Sequence, residues 1–192
     1  MALNGTSSLE ARQAFLQLLM SRKVMNQKEV EDAFAMLSET LNLRGYMAQS
    51  EIKSCLSELN KDLHECNLQI KGMLLNGTEV YAIVNILSDE VAKLHASKMK
   101  DWEKAYFKEV IRTICENGGD PVDKDELTAL RVQVGGTAPY TREKEAVLYL
   151  LEAEFWLQKD KHARLSLGPR TFLELSDFVR AHEMEMPQIL YF

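Results

Sequence analysis

The chain has 192 residues, 46% of them hydrophobic and 27% charged, enough to bury one good core or two small ones and too apolar for a disordered segment. Its formal charge of −6 and pI near 5.3 argue against a dedicated nucleic-acid binder, which needs a concentrated basic face. Three scattered cysteines (Cys55, Cys66, Cys115) give neither a disulfide framework nor a zinc motif, and no run approaches the roughly 18 apolar residues of a membrane span.

Ser7 or Ser8 is the expected cap of a first amphipathic helix with Ala11, Ala14, Phe15, Leu18 and Leu19 on one face. Asn26 with Glu29 forms a capping-box pattern ahead of Val30, Ala33, Phe34 and Leu37, so a second helix starts there and runs toward Leu41. A third, from about Ser50, carries Ile52, Cys55, Leu56, Leu59 and Leu63 at helical steps. The period then turns strand-like on both sides of Asn76-Gly77, a hairpin signal because both residues tolerate positive φ. The sequon that starts at Asn76 is therefore read as a turn, and neither it nor the one at Asn4 as a glycosylation site.

Ser88 to Asn117 reads as a long helical region, broken near Met99 to Asp101 and stopped by Gly118-Gly119-Asp120-Pro121. A short helix over Asp123–Leu130 and a loop around Gly135-Gly136 follow. Thr141 is the expected cap of the next helix, with an apolar stripe of Ala146, Val147, Leu150 and Leu151. Phe155 to Leu157 and Ala163 to Leu167 flank a second hairpin, and Pro169 opens a last helix with Phe172, Leu173, Leu175, Phe178 and Val179. Helices followed by a hairpin, twice over, predict a mainly α fold with small β-hairpins (α+β) built as tandem winged-helix domains: 1–87, 88–186 including the linking helix, and a tail at 187–192.

Chemistry is hard to assemble from these residues. Cys55 and Cys66 fall on nearly one face of the third helix and read, with Cys115, as small core residues. The four histidines stand at no metal-binding spacing, no phosphate loop or nucleophile motif is present, and Glu143, Glu145, Glu152 and Glu154 read as a solvated helix face. Catalytic, cofactor and metal residues are thus expected to be absent. Basic residues gather at Lys93, Lys98, Lys100, Lys104 and Lys108, and at Lys159, Lys161, His162, Arg164 and Arg170 around the second hairpin. Of these, Lys159, Lys161, Arg164 and Arg170 are the candidates for phosphate contact. Met20, Met25, Met36, Met47, Met73 and the closing run from Met184 exceed what two small cores obviously need, and read equally as contacts for protein partners or as gap-filling core residues.

Phe15 to Met20, Tyr81 to Asn85, Phe107 to Ile114, and Phe155 through Gly168 with Leu173-Glu174-Leu175 together resemble non-SMC element 1 of the SMC 5/6 complex, over about Phe15 to Arg180. The resemblance implies a nuclear subunit in DNA repair and chromosome maintenance, partnered by a MAGE-type subunit and the kleisin. It also implies a RING-like zinc domain with ubiquitin-ligase activity. The sequence ends at Phe192, where that domain's cysteines would begin, so ligase activity and zinc are not carried over. Partner contacts are expected from Phe15, Met20, Met73, Tyr81, Phe172 and Phe178. The alternative is an independent winged-helix DNA binder, and neither a membrane nor a small-molecule substrate is expected.

Overall fold

A computed structural model describes residues 3–41, 51–87, 99–132, 134 and 138–192, with side chains from Leu9 onward. The chain divides into two compact units, Met1–Ile86 with Gln188–Phe192, and Leu87–Pro187. The Met47 and Lys93–Lys98 readings, the helix start at Ser88 and the Gly135-Gly136 loop lie outside the described residues.

The first unit contains α1 (Leu3–Arg22), β1 (Val24–Asn26), α2 (Gln27–Thr40), α3 (Ile52–His64), β2 (Leu68–Leu75) and β3 (Thr78–Asn85). Helix α1 starts earlier than expected, so Ser7 and Ser8 lie inside it. Helix α2 starts as its sequence dictates: the Asn26 side chain accepts from the Glu29 amide at 3.0 Å, and the Glu29 carboxylate accepts from the Asn26 amide at 2.8 Å. Asn76 (φ 50°) and Gly77 (φ 80°) turn β2 into β3 with Leu75 opposite Thr78, the two-residue turn whose twist suits the strands. Strand β1, unforeseen in the sequence, pairs with β3 and buries Met25. Ala11, Phe15 and Leu19 of α1, Val30, Phe34 and Leu37 of α2, and Leu56 and Leu59 of α3 meet Ile70 and Tyr81 in one core.

The closing residues join this unit. Ile189–Leu190 (β6) pairs antiparallel with β2, giving the order β1-β3-β2-β6. Leu74 donates to the Gln188 carbonyl at 2.9 Å, and the Phe192 ring lies 5.6 Å from that of Tyr81 and over Gly72. A Cβ on Gly72 would stand 3.1 Å from that ring, so a bare backbone is what lets the segment lie flat here.

The second unit repeats the plan with α4 (Asp101–Glu116), α5 (Lys124–Ala129), α6 (Thr141–Ala153), β4 (Leu157–Lys159), β5 (Leu165–Leu167), α7 (Pro169–Glu174) and α8 (Ser176–Ala181). Helix α4 ends as the two glycines require, with Gly118 and Gly119 at positive φ and their amides returned to Cys115 and Ile114. Val122 and Leu165 exchange both backbone hydrogen bonds at 2.8 Å, a one-residue counterpart of β1. Tyr106, Phe107, Ile111, Leu127, Leu148, Leu157 and Val179 form the buried centre.

Candidate protein-interaction surfaces

The apolar residues named as partner contacts divide sharply. Phe15 is fully buried, edge-to-face with Phe34 at 4.7 Å, and Met73, Tyr81 and Phe172 are buried as well. They are core residues, which corrects the reading of them as contacts. Burial, with the hydrogen bond its hydroxyl donates to Glu79, holds the Tyr81 phenol well above its usual range. Phe178 is half-buried beside the His182 ring at 4.6 Å. Met20 alone stands clear, 60% exposed. Of the other methionines cited as surplus, Met36 is exposed and Met25 belongs to the core.

Met20 shares its face of α1 with exposed Leu9 and half-buried Leu16, at steps of seven and eleven residues. Gln13 and Gln17 complete that face, and no charged residue occurs between Gln13 and Ser21. Arg12, at its edge, is bound to Glu58 at 3.0 Å. A helix polar on its outer face keeps itself in solution with charge; α1 instead carries exposed Leu9 and Met20 among uncharged glutamines, while Leu16 packs partly on the core.

The basic hairpin is organised inward. Arg164 donates to Asp160 Oδ2 from both Nε (3.0 Å) and Nη2 (2.9 Å), and Asp160 Oδ1 accepts from the amides of His162 and Arg164. Partial burial raises the Asp160 carboxyl, but these bonds outweigh it and hold the group below the usual range. Arg170 lies 4.3 Å over the Trp156 ring while bonding Glu174 at 2.8 Å and Glu154 at 3.2 Å, and Lys159 pairs with Glu152 at 3.0 Å. Lys161 stands exposed on the turn. Three of the four proposed phosphate contacts therefore brace their own hairpin.

Helix α6 is turned away from the orientation read in the sequence. Its cap is Tyr140, not Thr141, so Glu143 takes the third position and accepts from the Tyr140 amide at 2.8 Å. Lys144 points inward, its ammonium 2.9 Å from the Thr128 carbonyl and 2.5 Å from that of Leu130, closing the C-terminal end of α5. With Lys144 on the inner face beside Val147, Leu148 and Leu151, the expected stripe residues Ala146 and Leu150 face out. Tyr149, 75% exposed, lies with them.

The cysteines offer no reaction centre. Cys55 and Cys115 are buried as expected, but α3 ends at His64 and Asn67 turns to φ 56°, which carries Cys66 to the surface instead of into the core. Among the described residues no three His, Cys, Asp or Glu side chains group to hold a metal. Burial pushes the Cys55 thiol up to about 11, against a smaller opposite pull from Arg12 and a further push from Glu58. The unfolded thiol ionises near 9, so between pH 9 and 11 the unfolded state holds fewer protons and stability falls as pH rises. We expect a loss on the order of 2 kcal/mol across that window, with a flatter slope in Cys55→Ala, read by chemical denaturation. At pH 8 a thiol reagent should label Cys66 promptly and the other two only on unfolding; prompt labelling of all three would contradict the burial.

A family model described as the Nse1 non-SMC component of the SMC5-6 complex matches residues 12–134. No curated protein matches the chain significantly. Among solved structures, a chain of an Nse1-Nse3-Nse4 complex superposes with a TM-score of 0.77 at 23% identity, covering 89% of this chain and 73% of its own. At that identity the likeness shows a shared fold.

Proposed function

This chain belongs to the Nse1 family of non-SMC components of the SMC5-6 complex, and from that premise we propose that it is a tandem winged-helix scaffold that heterodimerises with a MAGE-type subunit and, with it, engages the kleisin. The structural relative comes from an Nse1-Nse3-Nse4 complex, which supports a multi-subunit assembly of this kind. Its place is the nucleus, in DNA repair and recombination. No helix among the described residues is long and apolar enough to cross a membrane.

The observation that carries the scaffold reading is the uncharged outer face of α1, where Leu9 and Met20 stand exposed beside Gln13 and Gln17. Size-exclusion chromatography with light scattering of the chain co-expressed with a MAGE-type subunit should give a stable one-to-one complex. Met20→Glu places a charge at a site 60% exposed, so the fold is retained, and it should weaken that complex at least tenfold, or about 1.4 kcal/mol. A chain that stays monomeric beside the partner would sink the reading.

A further inference from the structure

We infer that the outer edge of β2 is a strand-accepting site shut by the closing segment Gln188–Phe192, a strap that yields to an extended strand of a partner protein. That strand carries apolar residues at alternate positions and ends on an aromatic. The site is separate from the α1 face on which the subunit reading rests.

The seat is built from fixed parts. Strand β2 pairs with β3 over its whole length, while its other edge meets the strap only at Gly72 and Met73, with the Leu74 amide donating to the Gln188 carbonyl at 2.9 Å. That register sets residues 188, 190 and 192 opposite 74, 72 and 70, on the side of the sheet that carries Tyr81 and the core. Asn60, 8% exposed, ends the ladder: it holds the Ile70 amide and carbonyl and turns Nδ2 to the Phe192 carbonyl at 3.5 Å. An incoming strand therefore stops at one place and has one register. Gly72 supplies the ring seat, because its missing side chain is the space that Phe192 takes beside Tyr81.

The resident strand is slighter than its seat. Only Ile189 and Leu190 form strand, both half-buried; Tyr191 is 68% exposed, and Pro187 before them has no amide to pair. So short a pairing belongs to the parts of a fold that open locally, below the cost of global unfolding. The strap also leaves contact unused, since Gln188 is exposed opposite Leu74, which stays 38% exposed. An apolar residue in place of Gln188 would cover Leu74, so a foreign strand can hold this edge more tightly than the resident one. Backbone bonds would supply affinity, and the seats at Leu74 and Gly72 the selection. Two copies exchanging straps would gain no contact, and a nucleic acid has no peptide ladder to offer.

The test titrates the full chain with two labelled peptides by fluorescence anisotropy, one with the sequence of residues 185–192 and one carrying Gln188→Leu. Phe192→Ala loosens the strap and leaves the seat whole, so both peptides should bind that variant at least tenfold more tightly than wild type. The leucine peptide should bind it at least threefold more tightly than the other. Added to Phe192→Ala, Leu74→Asp should erase that advantage, and Gly72→Val, by filling the ring seat, should abolish binding of both peptides; should the valine variant unfold, Leu74→Asp decides alone. Equal affinity of wild type and Phe192→Ala, or a leucine peptide with no advantage, overturns the inference and leaves the subunit reading untouched. A wild-type dimer in light scattering that Phe192→Ala dissolves would mean that straps pass between copies, which overturns the proposed occupant.

Discussion

Gly168→Ala is expected to destabilise the second unit by about 3 kcal/mol, the upper end of what one added methyl does to a packed site. The residue has an ordinary φ of −87°, so conformational freedom is not the reason for glycine. Space is. A Cβ there would stand 2.4 Å from the Phe155 carbonyl oxygen and 2.9 Å from two backbone carbons of the same turn. Those atoms are not free to retreat: the Phe155 carbonyl accepts from the Arg170 amide at 3.1 Å, and that of Trp156 accepts from the Gly168 amide at 2.8 Å and from the Thr171 hydroxyl. Phe155 already sits at φ 60°, closing α6 with its own amide on Glu152 and the Trp156 amide on Leu151, so the turn holds strain before any methyl is added. Both tryptophans, Trp102 and Trp156, lie in this unit, and their fluorescence during chemical denaturation reads the loss directly. A shift below about 1 kcal/mol would show that the turn can open.

What could be read beforehand was local. The Asn26–Glu29 box, the Asn76-Gly77 turn and the Gly118-Gly119 stop each depend on residues within a few positions of one another, and each is present as written. What escaped depends on distant partners. Strand β1 is three residues long, too short for a period, and exists because β3 lies beside it. The orientation of α6 is not legible in the sequence, because Lys144 reads as a surface residue until Thr128 and Leu130 turn their carbonyls toward it. The surface was harder still. Phe15, Met73, Tyr81 and Phe172 look in sequence like Met20, and only packing separates a core aromatic or methionine from an exposed one. The basic hairpin misled in the same manner, since Asp160, Glu154 and Glu174 neutralise it from positions that charge counting along the chain does not pair.

Replacing Asn60, a polar residue on the buried face of α3, should have the largest effect in the first unit. Its side chain is buried in α3 and acts as a piece of β-strand: Oδ1 accepts from the Ile70 amide at 2.6 Å, and Nδ2 donates to the Ile70 carbonyl at 3.0 Å and reaches the Phe192 carbonyl at 3.5 Å. Residues 70, 72 and 74 of β2 present their backbone groups to the edge away from β3; Asn60 closes the first, and β6 covers the other two through Leu190 and Gln188. An edge so covered cannot pair with another chain. Asn60→Leu leaves a buried amide and a buried carbonyl without partners at about 1–3 kcal/mol each, and loosens the closing segment, for an expected loss of about 3–5 kcal/mol. Amide exchange should quicken first at Ile70 and then at Leu74. Asn60→Asp separates the two bonds: its carboxylate still accepts from the Ile70 amide but sets a buried negative oxygen against the Ile70 and Phe192 carbonyls, so at neutral pH it should cost at least as much as leucine and recover at low pH, where the protonated acid can donate. Equal stability of all three would mean that water replaces the amide at this edge, and that the closing strand is held by Phe192 on Gly72 and Tyr81 alone.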